Sequence, residues 1–500
     1  MSVRIHLIVG LMVAGLELLA AGQDLPAPNQ PAQTQPAQTQ PPQPNSPVEG
    51  PIDNGVRTAP AAALSSVAGL QNGIDTEDTS KSLPQIPALL GGTGISPEFL
   101  SELERSNYLR GGVNVGATYD DNPLLAPSGQ QVSNTSETVF PNISIEQTSS
   151  RMRWNLGYAG GLTVNQKITS QDEGSHSVNF NSQYRLSPHV SLRVAENFSL
   201  TTGFFDAGTG AEVTGIGAPN TSLITPLATD RSSLTTVETN YHFALNDLVG
   251  ASGSFYDLHF SNLPTTASAG TLTLLTDSET ATGSAFWLHH IFRGDWAGAS
   301  YRFDRLTLGS NGEETLVHSF FAINTLDLSH RFTLTGFVGP QYSENQGFVV
   351  IAQPSTPASD WSVAGGAEGG WRNERTSVTA GYSRTISDGG GLLGPVRLQS
   401  AYGSLRREFM PRWTVALTAN HGTNESLILP SPIGASSIDV TSAGVSLEHN
   451  VAKSAGFRMG YRRDFQQEYG LSAPNPSTLD AHRNLFFVTL SYQWAKPLGM

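Results

Sequence analysis

The chain has 500 residues, of which 14% are charged and 38% hydrophobic, with 51 Gly, no Cys and a net charge of −14. Soluble domains usually carry about 25% charge, and a helical membrane protein shows repeated apolar runs of about 20 residues; neither property is present. A chain that is polar without being charged fits strands whose apolar and polar residues alternate, as in a transmembrane β-barrel.

Residues 1–22 read as a signal peptide. Arg4 gives a basic start, Leu7 to Leu19 is apolar except for Glu17, and Ala20-Ala21-Gly22 offers small residues for cleavage. No Cys follows, which excludes a lipoprotein anchor, disulfides, thiol catalysis and Cys-ligated metals. Residues 23–95 form a Pro/Gln-rich disordered linker, with nine Pro between Pro26 and Pro51 and little apolar surface to bury. It is expected in the periplasm, either as an inert spacer or as a peptide that docks a periplasmic component. Ser96-Pro97-Glu98 carries the signature of a helix start, and a short helix is expected over residues 96–106.

From residue 107 to 500 the period becomes two. In one stretch Met152, Trp154, Leu156, Tyr158, Leu162 and Val164 oppose Arg153, Asn155, Gly157, Ala159, Gly161 and Thr163. Successive strand side chains point to opposite faces, so one face is apolar and the other polar. Short turns are expected near Ser149-Ser150, Ser187-Pro188, Asn246-Asp247, Arg293-Gly294, Ser329-His330, Asn373-Glu374, Met410-Pro411 and Val451-Ala452. Long connections rich in Pro, Gly, Ser and Thr lie between them, such as Gly203 to Asp230, the longest and a candidate to fold inward. Alternating short and long connections mark an up-and-down antiparallel outer-membrane barrel, with short turns and both termini in the periplasm. Eight short turns pair sixteen strands. An opening strand (Tyr108 to Tyr119) and a closing one (Arg483 to Trp494) bring the count to about 18.

Trp154, Trp296, Trp371, Trp413 and Trp494 lie near the expected periplasmic ends and are assigned to a periplasmic aromatic girdle; Trp361 is assigned to the external one. A soluble all-β protein has no reason to place tryptophans beside short turns.

Gly116-Ala117-Thr118-Tyr119-Asp120-Asp121-Asn122 resembles the opening of the outer-membrane β-barrel porins associated with exopolysaccharide loci. Phe140-Pro141-Asn142 and Arg153-Trp154-Asn155 resemble the family's following stretches. The resemblance covers about residues 107–500 at the level of pattern. It implies a porin-like barrel linked to polysaccharide production or export, and it supplies no catalytic residues. The sequence departs from such barrels in running on past Trp494 through Ala495-Lys496-Pro497-Leu498-Gly499-Met500.

Alternation places Arg153, Arg193, Arg302, Asp304, Arg397, Arg458, Arg462 and Asp464 on the lumen face. Arg outnumbers Lys 24 to 4, and its planar fork binds carboxylate or phosphate at two points. These arginines either favour anionic or sugar solutes or brace the wall against acidic neighbours. Asp120-Asp121-Asn122 has oxygens for Ca²⁺ but lacks the spacing of a calcium loop, which favours a structural role. His289 and His290 point to opposite faces. His259 with Ser261, and His421 with Asn424 and Glu425, are the pairs an outer-membrane hydrolase would use. No phosphate loop, Gly-x-Ser-x-Gly motif or metal-binding His cluster is present, so neither catalysis nor a cofactor is expected. The acidic balance and lack of basic runs argue against nucleic acid. The leading expectation is a water-filled channel for small polar solutes or saccharides; a structural partner in polysaccharide secretion is the alternative, and a hydrolase the third. The expected partners are outer-membrane lipid, the barrel-assembly machinery and a periplasmic polysaccharide-export component.

Overall fold

The structure, a computed structural model, describes residues 107–498 apart from 125, 127–130, 170–171, 203–228, 262–275, 293, 310–312, 330, 347–358, 390–394, 428–434, 453 and 471–479. The expected signal peptide, linker and short helix, and nearly all of the Gly203 to Asp230 connection, lie outside the described residues.

The strands are β1 (Tyr108–Asp120), β2 (Asn134–Thr148), β3 (Met152–Asn165), β4 (Glu173–Arg185), β5 (Val190–Thr202), β6 (Thr229–Ala244), β7 (Asp247–Ser261), β8 (Ser278–Phe292) and β9 (Asp295–Leu308). They continue as β10 (Glu313–Ser329), β11 (Phe332–Gln346), β12 (Ser359–Arg372), β13 (Thr376–Ser387), β14 (Val396–Met410), β15 (Trp413–Ser426), β16 (Ala435–Asn450), β17 (Ala455–Gly470) and β18 (Ala481–Pro497). Each pairs antiparallel with its sequence neighbours, and β1 pairs with β18 along its whole length. The sheet is a closed 18-stranded barrel, which leaves no row of unpaired N–H and C=O groups at an edge.

All eight expected short turns join consecutive strands, from β2–β3 to β16–β17, and the strand count agrees with the sequence. Four of them are built with a register shift in the preceding strand, as between His290 and Phe292 or Glu408 and Met410. Such bulges add twist and tighten a turn. The departure at the C-terminus has a simple resolution. The closing strand incorporates the tail through Pro497, opposite Tyr108, and the Leu498 N–H donates to the Asn107 carbonyl at 2.7 Å.

Alternation sorts the wall into two faces. Val139, Tyr158, Val237, Val338, Leu417, Val445, Val488 and Leu490 are exposed on the outside although apolar. In water such a surface is costly at about 25 cal/mol per Å², whereas against lipid it is the required one. Aromatic rings frame this band. Trp154, Trp371, Trp413 and Trp494 face outward near the short turns, joined by Trp287. At the other end Phe303, His318, Tyr342 and Trp361 stand in one register row across β9 to β12, and Tyr301 and Phe320 form the next row down. Together Tyr301, His318, Phe320, Tyr342 and Trp361 line a shallow cleft of about 380 Å³. Trp296 does not belong to either girdle. It faces inward, only 5% exposed, with His290 against it at 4.8 Å.

Candidate functional site

The inner wall carries the charges. Near the short turns, Glu146 receives Arg153 at 3.0 Å and Arg110 at 3.3 Å. On the other side of the seam Glu448 receives Arg406 at 2.7 Å and lies 3.8 Å from Arg458. Higher up, Arg302 pairs with Asp304 at 2.7 Å. Asp464, fully buried, is held by Arg462 at 2.7 Å, by Arg483 at 2.8 Å and by the Ser442 hydroxyl. Arg193 stands opposite Glu238 in the β5–β6 register and donates to the Asn181 side chain at 3.3 Å. Seven of the eight residues assigned to the lumen by alternation therefore lie on the inward rows, six of them in close ion pairs.

Arg397 differs. Its row, that of Ala401, Leu405 and Phe409, faces outward lower down, but at the long-connection end Arg397 stands opposite Ile386, whose side chain packs onto the inner wall, and it reaches Asp360 at 2.7 Å and Glu425 at 3.2 Å. The sequence here alternates Val396 and Leu398 with Arg397 and Gln399, which is why alternation read Arg397 as a lumen residue. The contact ties β12 to β15 across two intervening strands.

One sector of the inner wall is apolar. Leu248, Phe286, Leu288, Trp296, Phe321, Ile323 and Phe337 pack along β7 to β11, with Phe321 and Phe337 edge to face at 5.1 Å. Several inward rings lie over an inward glycine of the next strand: Phe286 over Gly250, Phe337 over Gly366, Tyr402 over Gly381, Phe140 over Gly161 and Phe487 over Gly460. A Cβ at Gly381 would sit 2.6 Å from the Tyr402 ring. The missing side chain lets each ring lie flat on the wall instead of projecting across the lumen.

Exposure on the inner wall falls from one mouth to the other. Arg153 and Arg406, near the short turns, are about half exposed, whereas Thr315, Asn424 and Asn122 at the long-connection end are fully buried. The tip of β13 leans across at that end. Ile386 packs with Leu306 of β9 and Val317 of β10, and the Asp388 carboxylate accepts from the Ser278 hydroxyl of β8 at 3.0 Å. Those partners lie three to five strands away around the wall.

The hydrolase candidates come apart. His421 bonds to Thr441 on the outer face at 2.9 Å, while Asn424 is buried on the inner one. His259 takes Asp277 as its partner at 2.5 Å at the rim. His289 faces outward to Asp247 at 2.9 Å and His290 inward to Trp296. Among the described residues no group of three or more His, Cys, Asp or Glu could hold a metal. Alternation also passed over Glu196, which lies on the outer row of β5 between Val194 and Phe198. Its two oxygens accept from the Ser233 hydroxyl at 2.9 Å and from the Thr235 hydroxyl.

No family model and no curated protein matches this chain. Solved structures similar to it include three from Pseudomonas aeruginosa. OpdQ shares 11% identity over 79% of this chain and 98% of its own, with a TM-score of 0.38. OpdO shares 11% over 78% and 97%, with 0.41, and OprD 11% over 78% and 96%, with 0.38. Likeness of that degree transfers neither solute nor activity, so the function is argued from the chain's own wall.

Proposed function

We propose that this protein is an outer-membrane, porin-like barrel that forms a water-filled channel for small polar solutes. The observation that carries this reading is the division of one closed wall into an apolar outer face with an aromatic girdle at each end and an inner face bearing paired charges. An 18-stranded barrel is wide enough for an aqueous path, unlike an eight-stranded one. The tip of β13 supplies a constriction near the external mouth, with the short turns and both strand termini on the periplasmic side. Because most lumen arginines face a carboxylate, selectivity between cations and anions is weak. Lipid is the partner that the outer face requires. A link to polysaccharide rests on the Tyr119-Asp120-Asp121-Asn122 resemblance alone.

Planar-bilayer recording of the refolded full-length chain tests the reading. Steady conductance with a reversal potential near zero in a salt gradient is expected. Glu146→Gln with Glu448→Gln removes the carboxylates that face Arg110, Arg153, Arg406 and Arg458 and shifts the reversal potential toward anions at 0.1 M salt. The shift fades at 1 M, as the screening length falls from about 10 Å to about 3 Å. A silent bilayer rules out the channel.

A further inference from the structure

Every strand junction but one is joined at an end by a covalent connection, short or long. The exception is the seam between β1 and β18, whose partners are more than 360 residues apart and whose closure costs the most chain entropy. At the long-connection end the ladder reaches Asp120 opposite Leu485 and has no turn to stop it fraying.

The residues that follow take the place of that turn. The Asp121 N–H donates to the Asn484 carbonyl at 3.2 Å, and the Asn484 N–H donates back to Asp121 Oδ1 at 2.7 Å. Asn484 Nδ2 donates to Asp121 Oδ2 at 2.5 Å. Asn122, fully buried, spends its whole amide: Nδ2 donates to the His482 carbonyl at 3.1 Å and to the Ala126 carbonyl at 3.0 Å, and Oδ1 accepts from the Ala126 N–H at 2.9 Å. Its backbone N–H donates to Asp120 Oδ1 at 2.8 Å, a turn closed by a side chain. Asn484 is in turn braced by the Tyr461 hydroxyl of β17 at 2.7 Å. On the inner side Arg483 interacts electrostatically with Asp120 and holds Asp464 of β17. The oxygens of Asp121 and Asn122 are thus taken up by amide donors, not arranged for a cation.

We propose that Asp121 and Asn122 are the latch that locks the barrel shut, engaging His482 and Asn484 as the seam closes and holding it closed afterwards. This does not depend on what the lumen conducts. It assigns the Asp-Asp-Asn motif to barrel closure.

The test uses the full-length chain and the temperature at which its compact band converts to the unfolded one on SDS gels. Asp121→Ala, Asn122→Ala and Asn484→Ala each lower that temperature by several degrees. The double Asp121→Ala, Asn484→Ala variant loses less than the sum of the two singles, because the Asn484 Nδ2 to Asp121 Oδ2 bond is lost in both. Asp172→Ala removes a comparable bond, to the Asn165 N–H at 2.6 Å, but in a covalently joined hairpin, and costs clearly less. Because the chain has no cysteine, Asp121→Cys with Asn484→Cys gives a clean replacement. Oxidation restores the wild-type temperature and reduction returns it to the alanine value. If the alanine variants do not fold, Asp121→Asn, which keeps one acceptor, shows the intermediate drop. Additive losses, an equal loss at Asp172, or a disulfide that fails to form or to restore the temperature would each overturn the latch.

Discussion

Arg412 has a φ of +74°, in the turn where Met410 pairs directly with Trp413. A side chain in this left-handed region costs roughly 1–2 kcal/mol. Its side chain is exposed, and its carbonyl accepts from the Asn450 N–H at 2.9 Å, which needs the backbone alone. Arg412→Gly should therefore raise stability toward urea by about 1 kcal/mol, the relief of strain outweighing the freedom added to the unfolded chain. Gly294 is the mirror case. Its φ is +79°, and a Cβ there would meet the Asp327 carbonyl at 2.7 Å, so Gly294→Ala lowers stability by about 1 kcal/mol or more. Individual residues were also where the sequence was least legible. Trp296 lies beside a short turn, which suggested the girdle, yet it shares the parity of Arg302 and Asp304, six and eight residues on. Parity decides the face, and position along the strand decides only the height. Trp287 was hidden because Phe286, Trp287 and Leu288 make β8 apolar on both faces, so no alternation was visible.

The strands and short turns were legible because lipid on one side and water on the other impose a period of two. Where the inner face is itself apolar, as along β7 to β11, that contrast weakens and only pairing shows which way a residue points. The long connections followed no such rule. Gly203 to Asp230 drew attention by its length, but the inward-leaning element that the structure describes is the tip of β13. Its sequence, Thr385-Ile386-Ser387-Asp388, looks like any strand end. Contacts with Leu306, Val317 and Ser278 across the lumen reveal it. Asp388→Ala removes the acceptor that holds this tip to β8. Single-channel recording should then show larger or noisier open-state conductance with an unchanged unfolding temperature. Conductance identical to the wild type would show that the tip does not bound the path.

For the whole molecule, closure, outer apolarity and inner charge are one property seen three ways. A closed sheet satisfies its own backbone, which permits lipid outside, and 18 strands leave an interior too wide for side chains alone to fill. The net acidity of the sequence is shared between the barrel and the residues before it. Residues 106–500 carry 32 acidic and 24 basic residues, a net −8 against −14 for the chain, and much of that charge is paired on the inner wall. The most direct test of this two-sided wall exploits the absence of cysteine. Single Cys residues are placed at Val139, Tyr158 and Val488 on outward rows and at Asn142, Gly157 and Thr489 on inward rows, and each barrel is exposed in lipid vesicles to a small water-soluble maleimide. The account predicts that the three inward positions label and the three outward ones do not, with the pattern lost on unfolding. Labelling that ignores parity, or that favours the outward positions, would contradict it.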